Sequence, residues 1–567
     1  MIFMDKPWLK NYPKEIPASL EYPELVVPDM LTRAYEKYRD RVAIHFMGKE
    51  LTYGQLYHSA LACARALVKM GIQPGDRVSI MLPNCPQYVI AYYGIMMAGA
   101  VVVQTNPLYV ERELTYQLND VSAKAIIAID LVYPRVAKVI DQTPLQHVII
   151  TSVKDYLPFP KNLLYPLVAK RRGQYVQVPF GEKIYSFKEW LKSGENASLP
   201  PKAAPDDLAL LQYTGGTTGT PKGVMLTHRN LVVNAHQCQA WLYNTSENEQ
   251  EVILGAVPLF HVYGMTTVMN YTIYTGNKMI LLPKFEVEEV LKTIDRQRPT
   301  MFPGAPTMYT ALINHPDVQR YNISSIKACI SGSAPLPLEV KTRFEELTKG
   351  KLVEGYGLSE ASPVTHCNLI WGENVLGSIG LPWPDTEAAI ISLESGEFVG
   401  VNEIGELAIR GPQVMKGYWN RPEETEQVFK DGWLLTGDLA YMDERGYFYI
   451  VDRKKDMIIA SGFNIYPREV EEVLYEHPAV KECAVIGVKD PYRGETVKAF
   501  IVLKEGKTVT EEELDKHCRQ KLASYKVPRL YEFRSELPKS MIGKVLRRLL
   551  VEEEKAKEKE SREQTGA

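Results

Sequence analysis

The chain has 567 residues, too many for one ordinary hydrophobic core, so at least two domains are expected. Its 45% hydrophobic and 24% charged content is that of a soluble globular protein, and a net charge of only -3 argues against a nucleic-acid footprint over the whole surface. The cysteines (Cys63, Cys85, Cys238, Cys329, Cys367, Cys483 and Cys518) are scattered without any C-x-x-C, which argues against a disulfide framework or zinc site and suits a reducing cytoplasm.

The first residues, MIFMDKPWLKNYPKEIP, bring acids and prolines early and lack the apolar core of a signal peptide. Four runs, RVSIML (77–82), KAIIAI (124–129), HVIITS (147–152) and KMILLP (278–283), are continuously apolar rather than alternating. That is the pattern of buried strands in α/β layers. The longest apolar run, YVIAYYGIMMAGAVVV (88–103), is short for a membrane span and is interrupted by Gly94 and Gly99. It predicts a buried helix followed by a strand, in a chain that does not span a membrane. Residues 155–172, DYLPFPKNLLYPLVAKRR, mix large apolar side chains with a basic end, which suits a membrane interface or an anionic surface. Pro158, Pro160 and Pro166 work against a long helix there, so a surface hairpin or short helix covering the core is an equal alternative.

Residues 213–224, YTGGTTGTPKGV, follow an apolar run and place glycines, threonines and a lysine in one loop. Glycine lets backbone N–H groups approach an anion, and threonine adds hydroxyl donors, so phosphate binding is expected at Thr214, Gly215, Gly216, Thr217, Thr218, Gly219 and Lys222. A Walker A loop is excluded: Pro221 precedes Lys222, Gly223 follows it, and no Ser/Thr magnesium ligand comes next. PLFHVYG (258–264) sets His261 between aromatics, but no G-x-S-x-G motif accompanies it, so a hydrolase triad is not expected. SGSAPL (331–336) is a small-residue bend after the strand-like IKACI. In LVEGYGLSE (352–360), Tyr356 between glycines offers an exposed aromatic face and Glu360 a hard oxygen ligand for Mg²⁺.

From residue 387 to about 450 the pattern shifts to shorter strands with glycine turns, as in GELAIRGPQVMKGYW, indicating a β-rich subdomain. In LLTGD, Asp438 either forms a turn or accepts bonds from two ribose hydroxyls. A small α+β domain follows: helix PREVEEVLYEH, strands ECAVIGV and VKAFIVL, helix TEEELDKHCRQKL, and a final helix near 544–553. The boundary is placed at Asp452–Lys455, a charged tetrad suited to solvent. The expected domains are 1–452, 453–550, and a charged, disordered tail at 551–567.

Read together and in order over residues 30–550, these motifs resemble the acyl-adenylate-forming (AMP-binding) enzymes, which include acyl-CoA synthetases, firefly luciferase and peptide-synthetase adenylation domains. Within that superfamily the closest similarity is to bacterial long-chain-fatty-acid–CoA ligases, carried by DGWLLTGDLAYMDERGYFYIVDRKKDMIIASGFNIYPREVEEV (431–473). The implied fold is α/β: a large N-terminal domain of layered α/β subdomains plus a β-rich subdomain, with a small mobile C-terminal α+β domain. The implied reaction activates a long-chain fatty acid to acyl-CoA through acyl-AMP, with ATP and CoA as co-substrates and Mg²⁺ as cofactor.

Residue roles follow from the same resemblance. The loop from Thr214 to Lys222 holds the β- and γ-phosphates. Gly332, Ser333 and Ala334 lie along adenine, and Tyr356, flanked by Gly355 and Gly357, stacks on it. Ser359 stands where the family commonly has threonine, Glu360 and Thr214 serve Mg²⁺, and Asp438 assisted by Arg453 holds the ribose. His261, Tyr263 and Gly264 wall or gate the acyl site, and Gly304 leaves room for a chain. Ser461 and Gly462 border the pantetheine channel, Lys455 is the hinge, and Lys544 is the catalytic lysine. Met541 and Ile542, just before it, replace the family's usual Ser/Thr-Gly type. Alternatives carried forward are a medium-chain or aryl acid CoA ligase, an acyl-AMP ligase with a carrier-protein acceptor, and a binding module without turnover. The expected setting is cytoplasmic, without nucleic acid; a homodimer and peripheral contact with the inner membrane face are left open.

Overall fold

A computed structural model describes residues 6–214, 221–245, 249–460, 463–490, 493–540 and 544–565, with side chains as far as residue 557. Two compact units result: Trp8–Glu387 with Arg410–Leu434, and Met1–Pro7 with Ala388–Ile409 and Leu435–Ala567.

The first unit is built on an eight-stranded sheet. Strands Leu208–Thr214, Val101–Gln104, Arg77–Met81, Ala125–Ile129, His147–Thr151 and Ile184–Ser186 lie side by side and parallel. Ala125–Ile129 is buried at every residue, as a parallel strand covered on both faces must be, which is why its sequence reads as an unbroken apolar run. The run at 88–103 divides as expected into helix Pro86–Met97, buried except at its last residue, and strand Val101–Gln104. At the other end of the sheet the chain reverses. Strand Lys222–Thr227 pairs antiparallel with Leu208–Thr214, and Gly417–Tyr418 adds an antiparallel edge. A second sheet orders Val252–Gly255, Lys278–Leu281, Val42–Phe46 and Lys49–Thr52. A third orders Ala328–Ser331, Lys351–Gly357, Val364–Cys367 and Leu381–Pro382, and single bridges through Met301 join the two.

In the second unit, strands Glu387–Ile391, Gly405–Arg410, Trp433–Met442 and Phe448–Arg453 share one sheet. A further sheet of Phe463–Ile465, Ile458–Ala460, Gly494–Leu503, Val480–Asp490 and Leu530–Arg534 is covered by helices Pro467–Tyr475 and Glu511–Arg519. Ile465, Val470, Leu474, Val485, Ile501 and Leu514 belong to its own core.

The position expected for the domain boundary falls inside this second unit, because residues 388–409 and 435–452 group with the C-terminal segment. One member of the charged tetrad is not a solvent residue: Asp452 is only 4% exposed. Its carboxylate accepts the backbone N–H groups of Arg453 and Arg468, each at 2.7 Å, and a carboxylate so engaged stays inside. The last helix, Arg547–Thr565, starts later than expected and runs on through the charged tail. Its acids find cations on neighbouring strands, Glu554 on Lys498 at 2.7 Å and Glu553 on Arg534 at 2.7 Å. Residues 155–172 contain a short helix, Lys161–Arg171, with Pro166 inside it. Among the described residues no helix is long and apolar enough to cross a membrane.

Candidate active site

In the first unit, Thr214 and Lys222 face each other at the open end of the hairpin made by Leu208–Thr214 and Lys222–Thr227. The residues between them, including Gly215, Gly216, Thr217, Thr218 and Gly219, lie outside the described residues. The edge strand Gly417–Tyr418 is fastened here by Trp419 N–H donating to Gly223 O at 2.7 Å. A side chain at Gly223 would be crowded: its Cβ would stand 3.1 Å from the Tyr213 ring and 3.3 Å from Trp419 Cβ. The Lys222 ammonium sits 5.1 Å from the centre of the Tyr418 ring, and Tyr418 Oη donates to Glu360 Oε1 at 2.8 Å. Met415 N–H donates to Glu360 O at 2.7 Å. Lys222, Tyr418 and Glu360 thus form one connected group. Tyr418 escaped the sequence reading; its signal was the aromatic pair in MKGYW at the end of a strand-rich stretch.

Mg²⁺ fits these donors. Among the described residues no three or more His, Cys, Asp or Glu cluster as a self-sufficient metal cage. Mg²⁺ that arrives on nucleotide phosphates needs only one or two protein oxygens, since phosphate and water supply the rest. Glu360, oriented by Tyr418, and the Thr214 hydroxyl could supply those oxygens.

Strand Lys351–Gly357 delivers Gly355, Tyr356 and Gly357, and the 3₁₀ turn Ser359–Ala361 then presents Ser359 and Glu360. The Tyr356 ring packs edge-on against His366, centroids 5.9 Å apart. Burial holds the His366 imidazole down at about 3, so it is a neutral support. A Cβ at Gly357 would lie 2.1 Å from Pro363 O, a backbone atom that cannot yield. The parallel neighbour Ala328–Ser331 ends beside this strand, and Gly332, Ser333 and Ala334 leave the sheet there. Ser333 does so in the left-handed region, at φ 73°.

The acyl-site candidates join the same patch. Tyr263 Oη donates to Ile330 O at 2.6 Å and contacts Gly304 O at 3.2 Å. A Cβ at Gly332 would stand 3.3 Å from the Tyr263 ring. The space beside Gly304 is filled by Tyr309, whose ring is 2.8 Å from where a Cβ would be, so this glycine accommodates that ring. His261 stacks obliquely near Phe260, and burial pushes its imidazole down to about 4, making it a neutral ring rather than an acid. Gly264 is required because a Cβ there would meet Pro258 O at 2.3 Å. Beyond it the helix widens into a π-turn, Met265–Asn270, a form concentrated at functional sites. A cavity of about 20 Å³ lies among Thr267, Tyr271, Cys238, Met301, Pro303 and Ile330. That is about one water's worth of space, so a hydrocarbon chain entering there must displace side chains.

In the second unit, Asp438 and Arg453 are cross-strand partners, with Nε 3.6 Å from Oδ1. Thr436 Oγ1 accepts the Asp438 N–H at 3.2 Å while donating to Leu407 O at 2.8 Å, which ties the backbone that bears this carboxylate to the neighbouring strand. Ser540 N–H donates to Lys544 O at 2.8 Å. Met541 and Ile542 lie outside the described residues, as do Ser461 and Gly462. Desolvation first, then the charge of Arg453, push the Lys544 ammonium down to about 7; Asp438 opposes this, and Arg547 and Lys455 add to it. Lys455 is lowered too, by desolvation and then by Arg453. Arg453, Lys455 and Lys544 thus share the influence of Asp438, with Asp456 also acting on Lys455, while Arg547 pairs with Glu471 at 2.5 Å and Asp456 at 3.4 Å. Three cations around Asp438 are suited to a polyanion.

Comparison with known proteins accords with this chemistry. The profile of the AMP-binding enzyme family matches residues 31–419, and that of the AMP-binding enzyme C-terminal domain matches residues 469–544. A long-chain-fatty-acid–CoA ligase of Bacillus subtilis (strain 168) is 57% identical over 97% of this chain and 98% of its own length. One from Escherichia coli O157:H7 is 41% identical over 98% of this chain and 99% of its own. Among solved structures, ATP-bound MatB from Rhodopseudomonas palustris is 30% identical, with a TM-score of 0.82 over 93% of this chain and 99% of that one. The anthranilate CoA ligase AuaEII in complex with anthranoyl-AMP is 28% identical, with a TM-score of 0.82 over 94% of this chain and 98% of that one. This chain belongs to the AMP-binding enzyme family.

Proposed function

We propose that this chain is an AMP-forming ligase that activates long-chain fatty acids to acyl-CoA through an acyl-AMP intermediate. The observation that carries the reading is the near-full-length similarity, 57% identical, to a protein named long-chain-fatty-acid–CoA ligase. In the first step the fatty carboxylate attacks the α-phosphorus of ATP, the bond to the bridging oxygen breaks, and pyrophosphate leaves. In the second, the CoA thiol attacks the activated carbonyl, loses its proton, and expels AMP.

The chain's residues stabilise charge and fix position, the two things phosphoryl-centre chemistry asks of a protein. Thr214, Lys222 and the glycine–threonine loop between them hold the β- and γ-phosphates. Mg²⁺ bound by Glu360 would neutralise phosphate charge. Tyr356, with Gly332, Ser333 and Ala334, positions adenine; Asp438 accepts from the ribose with Arg453 beside it. Lys544 supplies the ammonium for adenylation. Tyr263, His261, Gly264 and Gly304 belong to the acyl site, and Ser461 and Gly462 to the CoA path. Residues 453–550, which include a core of their own, move between the two steps about Lys455. A cytoplasmic setting accords with seven free, buried cysteines.

The test is a competition among short- to long-chain fatty acids, benzoate and cinnamate, with ATP, Mg²⁺ and CoA, read by mass spectrometry as acyl-AMP, acyl-CoA and AMP. Predominantly long-chain acyl-CoA with matching AMP is expected. Aryl or short-chain products would remove the long-chain assignment, and acyl-AMP without thioester would move the acceptor away from CoA. Lys544→Ala should lose adenylation while retaining much of its ATP binding.

A further inference from the structure

Helix Lys161–Arg171 wears its polarity inside out. Leu163, Leu164, Leu167 and Val168 are 65%, 52%, 61% and 44% exposed, and Phe159 just before them is 78% exposed. Their spacing, i, i+1, i+4, i+5, places the four helical residues on one face. The opposite positions, Asn162, Tyr165, Pro166 and Ala169, are the ones turned toward the protein, with Ala169 buried. A helix that served only to cover the core would present the leucines inward. Isolated apolar residues at a surface need no explanation, but a contiguous stripe of large ones does.

The charge around the stripe says what it meets. No acidic residue occurs between Asp155 and Glu182, whereas Lys161, Lys170, Arg171 and Arg172 all lie within that stretch and are exposed. Lys161 stands at one end of the helix and the other three at its far end, so cations flank the leucines. The exposed aromatics Tyr175 and Phe180 follow within the same acid-free stretch. Met47, 44% exposed at the tip of the neighbouring hairpin, adds to the apolar side, its carbonyl accepting from Lys161 Nζ at 3.4 Å. An apolar strip flanked by cations and aromatics is the arrangement that seats a helix in the headgroup region of a bilayer, and the cations select anionic lipid.

We propose that this helix and its flanks, residues 159–172, dock the protein on the surface of an anionic phospholipid bilayer, with the leucine stripe in the acyl boundary and Lys161, Lys170, Arg171 and Arg172 among the phosphates. The inference stands on this surface alone and does not depend on which acid the active site takes.

Co-sedimentation of the full chain with vesicles tests it. Wild-type protein should bind vesicles of phosphatidylglycerol in phosphatidylcholine, bind phosphatidylcholine alone at least about tenfold more weakly, and lose binding as salt is raised. Leu163→Ser with Leu167→Ser should weaken binding to the anionic vesicles by about tenfold or more, since each exchange removes apolar burial from the interface. Lys170→Glu, Arg171→Glu and Arg172→Glu together should abolish the preference for anionic lipid. Both variants keep the circular-dichroism spectrum and thermal unfolding midpoint of the wild type, which shows that they fold. Equal binding to the two vesicle types, unchanged binding by either folded variant, or no wild-type binding would overturn the proposal. So would a leucine variant that converts a dimer to a monomer while vesicle binding stays the same, because the stripe would then be an interface with a second copy.

Discussion

Tyr418 couples two functional groups that lie far apart in the chain: its ring faces the Lys222 ammonium and its hydroxyl holds Glu360. Nearness of that carboxylate, after burial, raises the phenol well above its ordinary range, so it remains a donor at any working pH. A hydrogen bond to a charged acceptor is worth about 1.5–3 kcal/mol. Tyr418→Phe should therefore weaken Mg²⁺-dependent use of ATP by about tenfold or more, read as a shifted Mg²⁺ dependence of pyrophosphate exchange, with the fold intact. Lys544 gives a second prediction. Its ammonium is held down to about 7 without a ligand, so at pH 8 it is mostly neutral. A bound polyphosphate favours the charged form, so ATP binding at that pH should take up a proton. Calorimetry in two buffers of different ionisation enthalpy should detect the uptake, and Lys544→Ala should lose it; buffer-independent heats in the wild type would refute the role. The same depression costs folding stability as pH falls from the ordinary lysine range toward about 7, where the unfolded chain holds the proton more tightly.

At the level of elements, the C-terminal segment is tied through Arg547, which pairs with buried Glu471 at 2.5 Å and reaches Asp456 at 3.4 Å. Glu471 Oε1 also accepts the Val485 N–H at 2.7 Å, so helix Pro467–Tyr475, strand Val480–Asp490 and the start of the last helix meet at one carboxylate. Removing the guanidinium strands that charge. Arg547→Met should destabilise this segment by about 3–5 kcal/mol, whereas Arg547→Met combined with Glu471→Gln should cost less than the sum of the single changes. Calorimetric unfolding of the full chain measures both. These helices and strands were legible in sequence because each carries a local apolar period. The partner of each charge was not, because opposite charges separated by 76 residues leave no local pattern. Asp452 illustrates the point: in sequence it is one of four consecutive charges, and the backbone N–H of Arg468, sixteen residues on, joins that of Arg453 in holding it inside.

For the whole molecule, acid should be a specific stress. His228 and His366 are buried, and desolvation lowers their imidazoles to about 4 and about 3. His228 accepts the Val27 N–H on Nδ1 at 3.3 Å, a bond that only the neutral ring can make. For a histidine lowered in the folded state, the unfolded chain takes the proton first, so stability is lost as pH falls through the ordinary value of about 6.5 and on toward about 4. The unfolding midpoint should drop across that range. His366→Asn should flatten the dependence by up to about 1.4 kcal/mol per pH unit, the share of one proton; an unchanged slope would show that His366 is not the titrating group.

The sequence by itself determined the adenylate-forming chemistry, the buried parallel strands and the segments that carry Thr214, Lys222, Glu360, Asp438 and Lys544. Glycine patterns, apolar runs and motif order are local, and local backbone and burial preferences act within a few residues. Tertiary structure alone decided that Tyr418 joins Lys222 to Glu360, that Tyr309 fills the space beside Gly304, and that residues 388–409 group with the C-terminal segment. It also decided that the leucines of helix Lys161–Arg171 face outward. Each of these is set by which strands pair and which surfaces pack, and such contacts between distant residues become fixed only when the chain closes on itself.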